Sequence, residues 1–409
     1  MADVIPFKCW RPQPDIAAEV AEAPYDTFTR TEAVARVAAD PLSFLRIDKP
    51  VALFEDEVGE YDSQVYARAR EELDVWYEKG IMVPDSEPLE PAYFIYRITK
   101  GSHVQTGVTA CVSVADYQNG VIKRHENTRT DKEEDRVNHI LALEAHTGPV
   151  LLTYPSQEKL DALLKEYVAK TPALYDFVAQ DGVRHEFWRV DSRSVAAEIQ
   201  ATFAAVSTLY IADGHHRAAA AARVAERFKN SEADHFLAVL FGCDELQVLD
   251  YNRVVSDLAG MNPQKLLESL AEVVDVNNKG LEPYKPAQRG EFSMYLDGNW
   301  YVLGIRKGQR PLDAVEGLDV ALLHSMILEP ILGISDPRSD PRISYVGGIR
   351  GLSELVLRAD KTGGVAFALY PCSLEELFAV ADEDRMMPPK STWFEPKLKS
   401  GLAIHQLSV

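Results

Sequence analysis

The segment Ser207–Phe228, STLYIADGHHRAAAAARVAERF, constrains this chain more than any other. It opens with the β-prone run Thr208, Leu209, Tyr210, Ile211, turns through Asp213-Gly214-His215-His216, and enters an alanine-rich stretch whose composition dictates a helix. Asp213 is expected as the N-cap, and Gly214 permits a tight turn with close approach of backbone to a ligand. His215, His216 and Arg217 then crowd the first helical turn, where free N–H groups and the positive end of the macrodipole point the same way. Those residue types at that spacing describe an anion site, with the phosphates of a nucleotide as the natural occupant. The plainer alternative is a capped strand–turn–helix corner with solvated histidines.

With 409 residues the chain has room for two or three domains and a sizeable core. The formal charge of −20 argues against non-specific DNA binding, which needs a basic footprint. No run of about 18 apolar residues is present and the start lacks a signal-peptide core, so neither a membrane span nor secretion is expected. Cys9, Cys111, Cys243 and Cys372 are far apart and form no CxxC, which fits a reducing cytoplasm rather than a zinc site or disulfide framework.

Alternating strand and helix signals define the class as α/β (α+β) with mixed sheets. Residues 1–60 read as an irregular wrapping segment, in which Ala23-Pro24-Tyr25-Asp26 is a turn placed to close over a pocket. Val65, Ala69, Leu73 and Trp76 mark one face of a helix over 61–79. A helix is expected over 127–146, with Thr130-Asp131-Lys132-Glu133 as a capping box and Gly148-Pro149 as its stop. Asp297-Gly298 turns a hairpin between 291–296 and 300–305, and 321–331 reads as a helix. A boundary is expected near 255–290, drawn as 1–255 and 256–409.

Two further segments carry chemistry. In Val121–His139 a short strand delivers Arg124, His125 and Glu126 to a loop, and the following helix sets Arg129, Lys132, Arg136 and His139 on one stripe. A carboxylate beside several cations stays ionised and can accept a proton from a substrate hydroxyl. The alternative is a solvated face laced with pairs to Glu133 and Asp135. In Met386–Leu402, Lys390, Ser391 and Thr392 offer a cation and two hydroxyls after a rigid Pro388-Pro389 turn; this is no P-loop, but it can hold a phosphate or be a plain surface turn. Tyr251-Asn252-Arg253 follows a strand and either lines a site or is structural.

On these motifs the chain resembles the ParB/sulfiredoxin-like superfamily, whose strand–turn–helix box holds nucleotide phosphates. Within it the free-serine kinases are similar in three places, matched here by His125-Glu126, by DGHHR at Asp213–Arg217, and by Pro389-Lys390-Ser391-Thr392, in the same order. Nearly the whole chain is also similar to a widespread bacterial family labelled ParB-like, of unknown function, through APYD, HE-T, ADGHHR, YNRVV and MPPKST-F-PKL-SGL. Residues 255–360 have no counterpart in the kinases, and Glu126 and Asp213 stand further apart than in them.

The resemblance implies a ParB/sulfiredoxin-like nucleotide-binding core and a small-molecule kinase giving O-phospho-L-serine from free L-serine. It implies Glu126 as general base and Asp213 as helix cap and Mg2+ contact. Gly214, His215, His216 and Arg217 would bind phosphate, with Lys390, Ser391 and Thr392 closing the site. His125, Arg129 and Arg136 are further candidates for substrate or phosphate contact. ATP and ADP are equally compatible donors. A nucleotide-binding regulator without turnover, or a nucleotide or phosphoester hydrolase in which Glu126 orients water, would use the same residues. No DNA or membrane partner is expected, and the oligomeric state stays open.

Overall fold

A computed structural model describes residues 1–228, 230 and 232–408. The chain divides into two units, one made of residues 1–246 and 396–409, the other of 247–395. The boundary thus falls earlier than the expected 255, because Tyr251–Val255 pairs inside the second unit's sheet. The last segment belongs with the first unit, because Ile404–Gln406 pairs with Cys9–Pro12 on one side and Ala145–His146 on the other.

The first unit is built on a nine-stranded mixed sheet. Its strands are β1 (Val4–Ile5), β2 (Phe94–Lys100), β3 (His103–Ser113), β4 (Ile122–Lys123), β5 (Val150–Tyr154), β6 (Tyr175–Val178), β7 (Arg184–Arg189), β8 (Leu209–Asp213) and β9 (His235–Gly242). Their order is β4-β8-β5-β9-β3-β2-β7-β6, with β1 on β3. The β4–β8 and β5–β9 pairs are parallel and the rest antiparallel. The longest of the helices that accompany it are α1 (Ser63–Glu78), α2 (Thr130–Leu143), α3 (Glu158–Lys170), α4 (Arg193–Ala205) and α5 (His215–Phe228).

The alanines of α5 have a packing reason. Ala218, Ala219, Ala221, Ala222 and Ala225 join the core that the sheet shares with Leu160 and Leu164 of α3 and Ile199 and Phe203 of α4. On the other side Ala220 and Val224 meet Val137 and Ile140 of α2. A helix buried on two sides needs small side chains so that both neighbours can approach. The sequence reading of α1 holds, with Val65, Ala69, Leu73 and Trp76 all buried.

Helix α2 departs from expectation at both ends. The expected capping box is absent: the helix starts at Thr130, Arg129 precedes it without a side-chain cap, and it is Thr128 whose hydroxyl donates to Glu133, at 2.9 Å. The helix stops at Leu143 rather than 146, because Glu144 turns into the left-handed region (φ 52°) and Ala145–His146 is taken as a strand by Ile404–Gln406.

The second unit holds a six-stranded sheet, antiparallel throughout. With β10 (Tyr251–Val255), β11 (Asp275–Gly280), β12 (Glu291–Leu296), β13 (Asn299–Gly304), β14 (Ile343–Gly347) and β15 (Val365–Ala368), the order is β11-β13-β12-β15-β10-β14. Helices α6 (Pro263–Val273), α7 (Gly351–Thr362) and α8 (Leu374–Asp382) accompany it. The expected hairpin at Asp297-Gly298 forms. The helix expected over 321–331 is shorter and changes pitch: Asp319–Leu323 is α-helical and His324–Leu328 is a π-helix. Among the described residues no helix is long and apolar enough to cross a membrane, and the four cysteines are free thiols.

Candidate functional site

Strands β4 and β8 run parallel, so the residues following each emerge at the same edge. After β4 come Arg124, His125 and Glu126; after Asp213, the last residue of β8, come Gly214 and the first turn of α5. Gly214, not Asp213, occupies the residue before the helix: its carbonyl accepts the first helical bond from the Ala218 N–H at 3.1 Å. Its φ of +96° lies where a side chain is strained, and an added Cβ would stand 3.1 Å from the Arg217 guanidinium.

The two histidines of DGHHR are both tied to the opposite loop. His215 is buried, and its Nε2 accepts the His125 main-chain N–H at 3.4 Å. Its other nitrogen, Nδ1, stands 3.8 Å from Glu126 Oε2. An imidazole that accepts at Nε2 carries its proton on Nδ1, so His215 presents a donor towards Glu126. The His125 and His215 rings meet edge to face, centroids 4.4 Å apart. His216 Nε2 accepts the Arg129 N–H at 3.0 Å. Burial pushes His125 down to about 4 and His215 well below the imidazole range, His125 adding to the effect on His215. Both rings are neutral at pH 7. Glu126 is the part-exposed group of this set, its side chain 42% exposed.

Asp213 is held differently. Its Oδ1 accepts the Gly214 N–H at 2.9 Å, and its Oδ2 pairs with Lys397 Nζ at 3.0 Å. Burial alone would raise this carboxyl, but Lys397 and Arg217 outweigh it and hold it well below the carboxylate range. Lys397 is the functional candidate that sequence reasoning missed, for it lies 184 positions from Asp213 in the chain. Its nearest sequence signal is the PKL of the C-terminal motif.

The stripe of α2 runs from solvent to core. The Arg129 side chain is exposed and pairs with Asp131 at 2.8 Å. Arg136 and His139 are buried. The Arg136 guanidinium pairs with Asp135 at 2.8 Å and lies 3.8 Å from the Tyr25 ring centroid. His139 bonds the Ile47 carbonyl at 2.8 Å, and burial followed by the Arg136 charge pushes it down to about 4. Of the Ala23–Asp26 turn, two residues line a pocket. Pro24 and Tyr25 line it together with Arg136, Arg217 and Ser400, and its volume of 30 Å³ admits little more than water. Arg217 donates to the Pro149 carbonyl.

Lys390, Ser391 and Thr392 belong to the second unit. Lys390 is exposed with φ 59°, and the Ser391 hydroxyl donates to the Pro388 carbonyl at 2.6 Å, bracing the turn.

Asp213 suits direct ligation of Mg2+ poorly, because Lys397 already stands on one oxygen and a main-chain N–H on the other. Among the described residues no group of three or more His, Cys, Asp or Glu is set to hold a metal. Magnesium that travels with a polyphosphate takes most of its ligands from phosphate and water, so it needs no such cage.

Fold and site together define a two-unit α/β protein in which the DGHHR strand–turn–helix faces a carboxylate, Glu126. The profile of the family described as "Protein of unknown function (DUF1015)" matches residues 4–321, and the chain belongs to that family. No curated protein matches it. Among solved structures it is similar to a free serine kinase in complex with AMP, at 14% identity and TM-score 0.33, covering 74% of this chain and 92% of that one. It is also similar to SbnI with C-terminal truncation from Staphylococcus aureus (13%, TM-score 0.35, 70% and 82%). A conserved hypothetical protein from Pyrococcus furiosus is similar at 14%, TM-score 0.32, 72% and 93%. Similarity of this degree decides nothing about chemistry.

Proposed function

We propose that the protein is a nucleotide-dependent kinase of a small hydroxylated acceptor, with free L-serine as that acceptor and O-phospho-L-serine as product. The observation that carries the reading is the meeting of a part-exposed Glu126 with the neutral His215 of DGHHR at the shared edge of β4 and β8. The match of HE, DGHHR and PKST to the motifs of free-serine kinases, in the same order, supports the choice of acceptor.

In this reading Glu126 takes the proton of the acceptor hydroxyl. The oxygen forms a bond to the terminal phosphorus of ATP or ADP as the bridging P–O bond breaks, and ADP or AMP leaves with the electron pair. Phosphoryl transfer asks the protein for position and charge more than for covalent chemistry. Arg217, the start of α5 and Lys397 supply positive potential for the phosphates. His215 is a positioning residue: its Nδ1–H faces Glu126 and its Nε2 holds the His125 main chain. Asp213 keeps Lys397 in place.

The test is mass spectrometry of purified protein with Mg2+, ATP or ADP, and a panel of hydroxylated amino acids and metabolites. Phosphorylation of serine alone is expected. Phosphate release without any acceptor would identify a hydrolase, and nucleotide binding without turnover a regulator.

A further inference from the structure

The second unit contains a pocket of 640 Å³, within the range of small-molecule sites. Val320, Met326, Leu328 and Ile343 give it apolar walls, and Arg253, from the YNRVV motif, lines it as a buried cation. Two arginines among the described residues are buried, and they differ in kind. Arg136 has Asp135 at 2.8 Å. Arg253 forms no ion pair among the described residues. Its guanidinium donates only to main-chain carbonyls, of Tyr251, of Pro389 at 3.3 Å and of Lys390 at 3.0 Å, and lies 5.4 Å from the Tyr345 ring centroid. Carbonyls satisfy N–H groups but carry no net charge, so a positive charge stands out of water uncompensated. Burial pushes Arg253 down to about 10, with Tyr345 and Tyr251 opposing, so it is still charged at pH 7.

His324 also lines the pocket; its Nε2 lies 4.0 Å from Glu329 Oε2, and its buried Nδ1 has no hydrogen-bond partner among the described residues. It opens the π-helix His324–Leu328, a distortion that costs regular bonding and is frequent at functional sites. The acidic groups on the pocket lining are exposed. Asp336 is already engaged by the Arg338 N–H at 3.0 Å and the Ser339 hydroxyl at 2.9 Å, and Glu316 is solvated. Neither compensates the floor.

We infer that this pocket of the second unit is a binding site for a small molecule with an apolar body and an anionic head, a carboxylate or a phosphate, seated on Arg253. The head supplies the missing counter-charge and the body fills the apolar walls.

Titration of the full-length protein with benzoate, with phenyl phosphate and with benzyl alcohol, followed by calorimetry, tests this. The two anions separate the head groups, and the alcohol has the body alone. Saturable binding of at least one anion is expected, weakened about tenfold or more by Arg253→Met, equivalent to about 1.4 kcal/mol. Ser325→Trp, at an exposed residue on the pocket lining, is expected to block the same binding without disturbing the core, and it decides the matter if Arg253→Met does not fold. Absence of anion binding up to about 10 mM overturns the inference. Equal binding of benzyl alcohol, or binding indifferent to Ser325→Trp, overturns it as well.

Discussion

The two units handle buried charge in opposite ways. In the first, cations near the DGHHR turn face carboxylates: Lys397 pairs with Asp213, Arg136 pairs with Asp135, and the Arg217 charge also acts on Asp213. The pocket there is only 30 Å³, and Glu126 is part-exposed. In the second, a guanidinium with no ion pair lines a pocket of 640 Å³. A prepaid network of charges keeps a site rigid and lets a ligand's phosphates exchange with existing partners. A buried charge without a carboxylate partner leaves the compensation to the ligand. The first arrangement suits chemistry that needs fixed geometry, the second suits binding.

The largest expected effect sharpens the chemical half of this contrast. Glu126→Gln keeps the shape and removes the base, so transfer should fall about 10²–10⁴-fold while nucleotide affinity stays near that of the wild type. Steady-state rates and a nucleotide titration separate the two. Transfer within about threefold of wild type would remove Glu126 from the base role.

Acid should strike the two units differently. His125 and His139 sit near 4, and His146 and His185 near 3, burial being the first cause in each. Unfolded histidine titrates near 6.5, so below that pH the unfolded chain binds more protons than the folded one. Stability of the first unit should therefore fall as pH drops from about 6.5 towards 4, by up to about 1.4 kcal/mol per pH unit for each histidine. In the second unit burial pushes Asp319 up to about 6, Arg310 opposing. There the folded form holds the extra proton, so between about 4 and 6 this group favours folding as pH falls. Amide exchange at pH 7 and pH 5, corrected for intrinsic rates, should show protection lost first in residues 1–246. Equal loss in both units would contradict the buried neutral imidazoles.

Gly214→Ala probes the turn that joins β8 to α5. A side chain at φ +96°, tight against Arg217, should cost about 1–3 kcal/mol in urea unfolding. An unchanged midpoint would mean that the turn relaxes freely. The smallest effect is expected from Lys397→Met, which leaves Asp213 ionised without its partner. Nucleotide affinity should weaken about tenfold, with transfer at saturation reduced less than by Glu126→Gln. An unchanged affinity would make Lys397 a purely structural partner.

Local patterns were legible in the sequence, and long-range partners were not. The strand–turn–helix at DGHHR, the apolar stripe of α1 and the hairpin at Asp297-Gly298 each follow from periodicity or turn chemistry within about twenty residues. The ends of α2 were misread because they are fixed from elsewhere: the C-terminal strand Ile404–Gln406 claims Ala145–His146 and ends the helix early. Lys397 was invisible for the same reason, since its partner lies 184 positions away. Gly214 displaced Asp213 from the capping position because β8 extends through Asp213 and the glycine makes the turn. The π-helix at His324 has no signature in apolar periodicity, which cannot distinguish an inserted residue from a normal turn.

Phosphorus NMR of the purified protein with Mg2+ and ATP or ADP, with and without L-serine, compared with Glu126→Gln, tests the central claim most directly. The account predicts a phosphoserine resonance that needs serine and vanishes in the variant. Nucleotide breakdown indifferent to serine, or phosphoserine formed equally by both proteins, would contradict it.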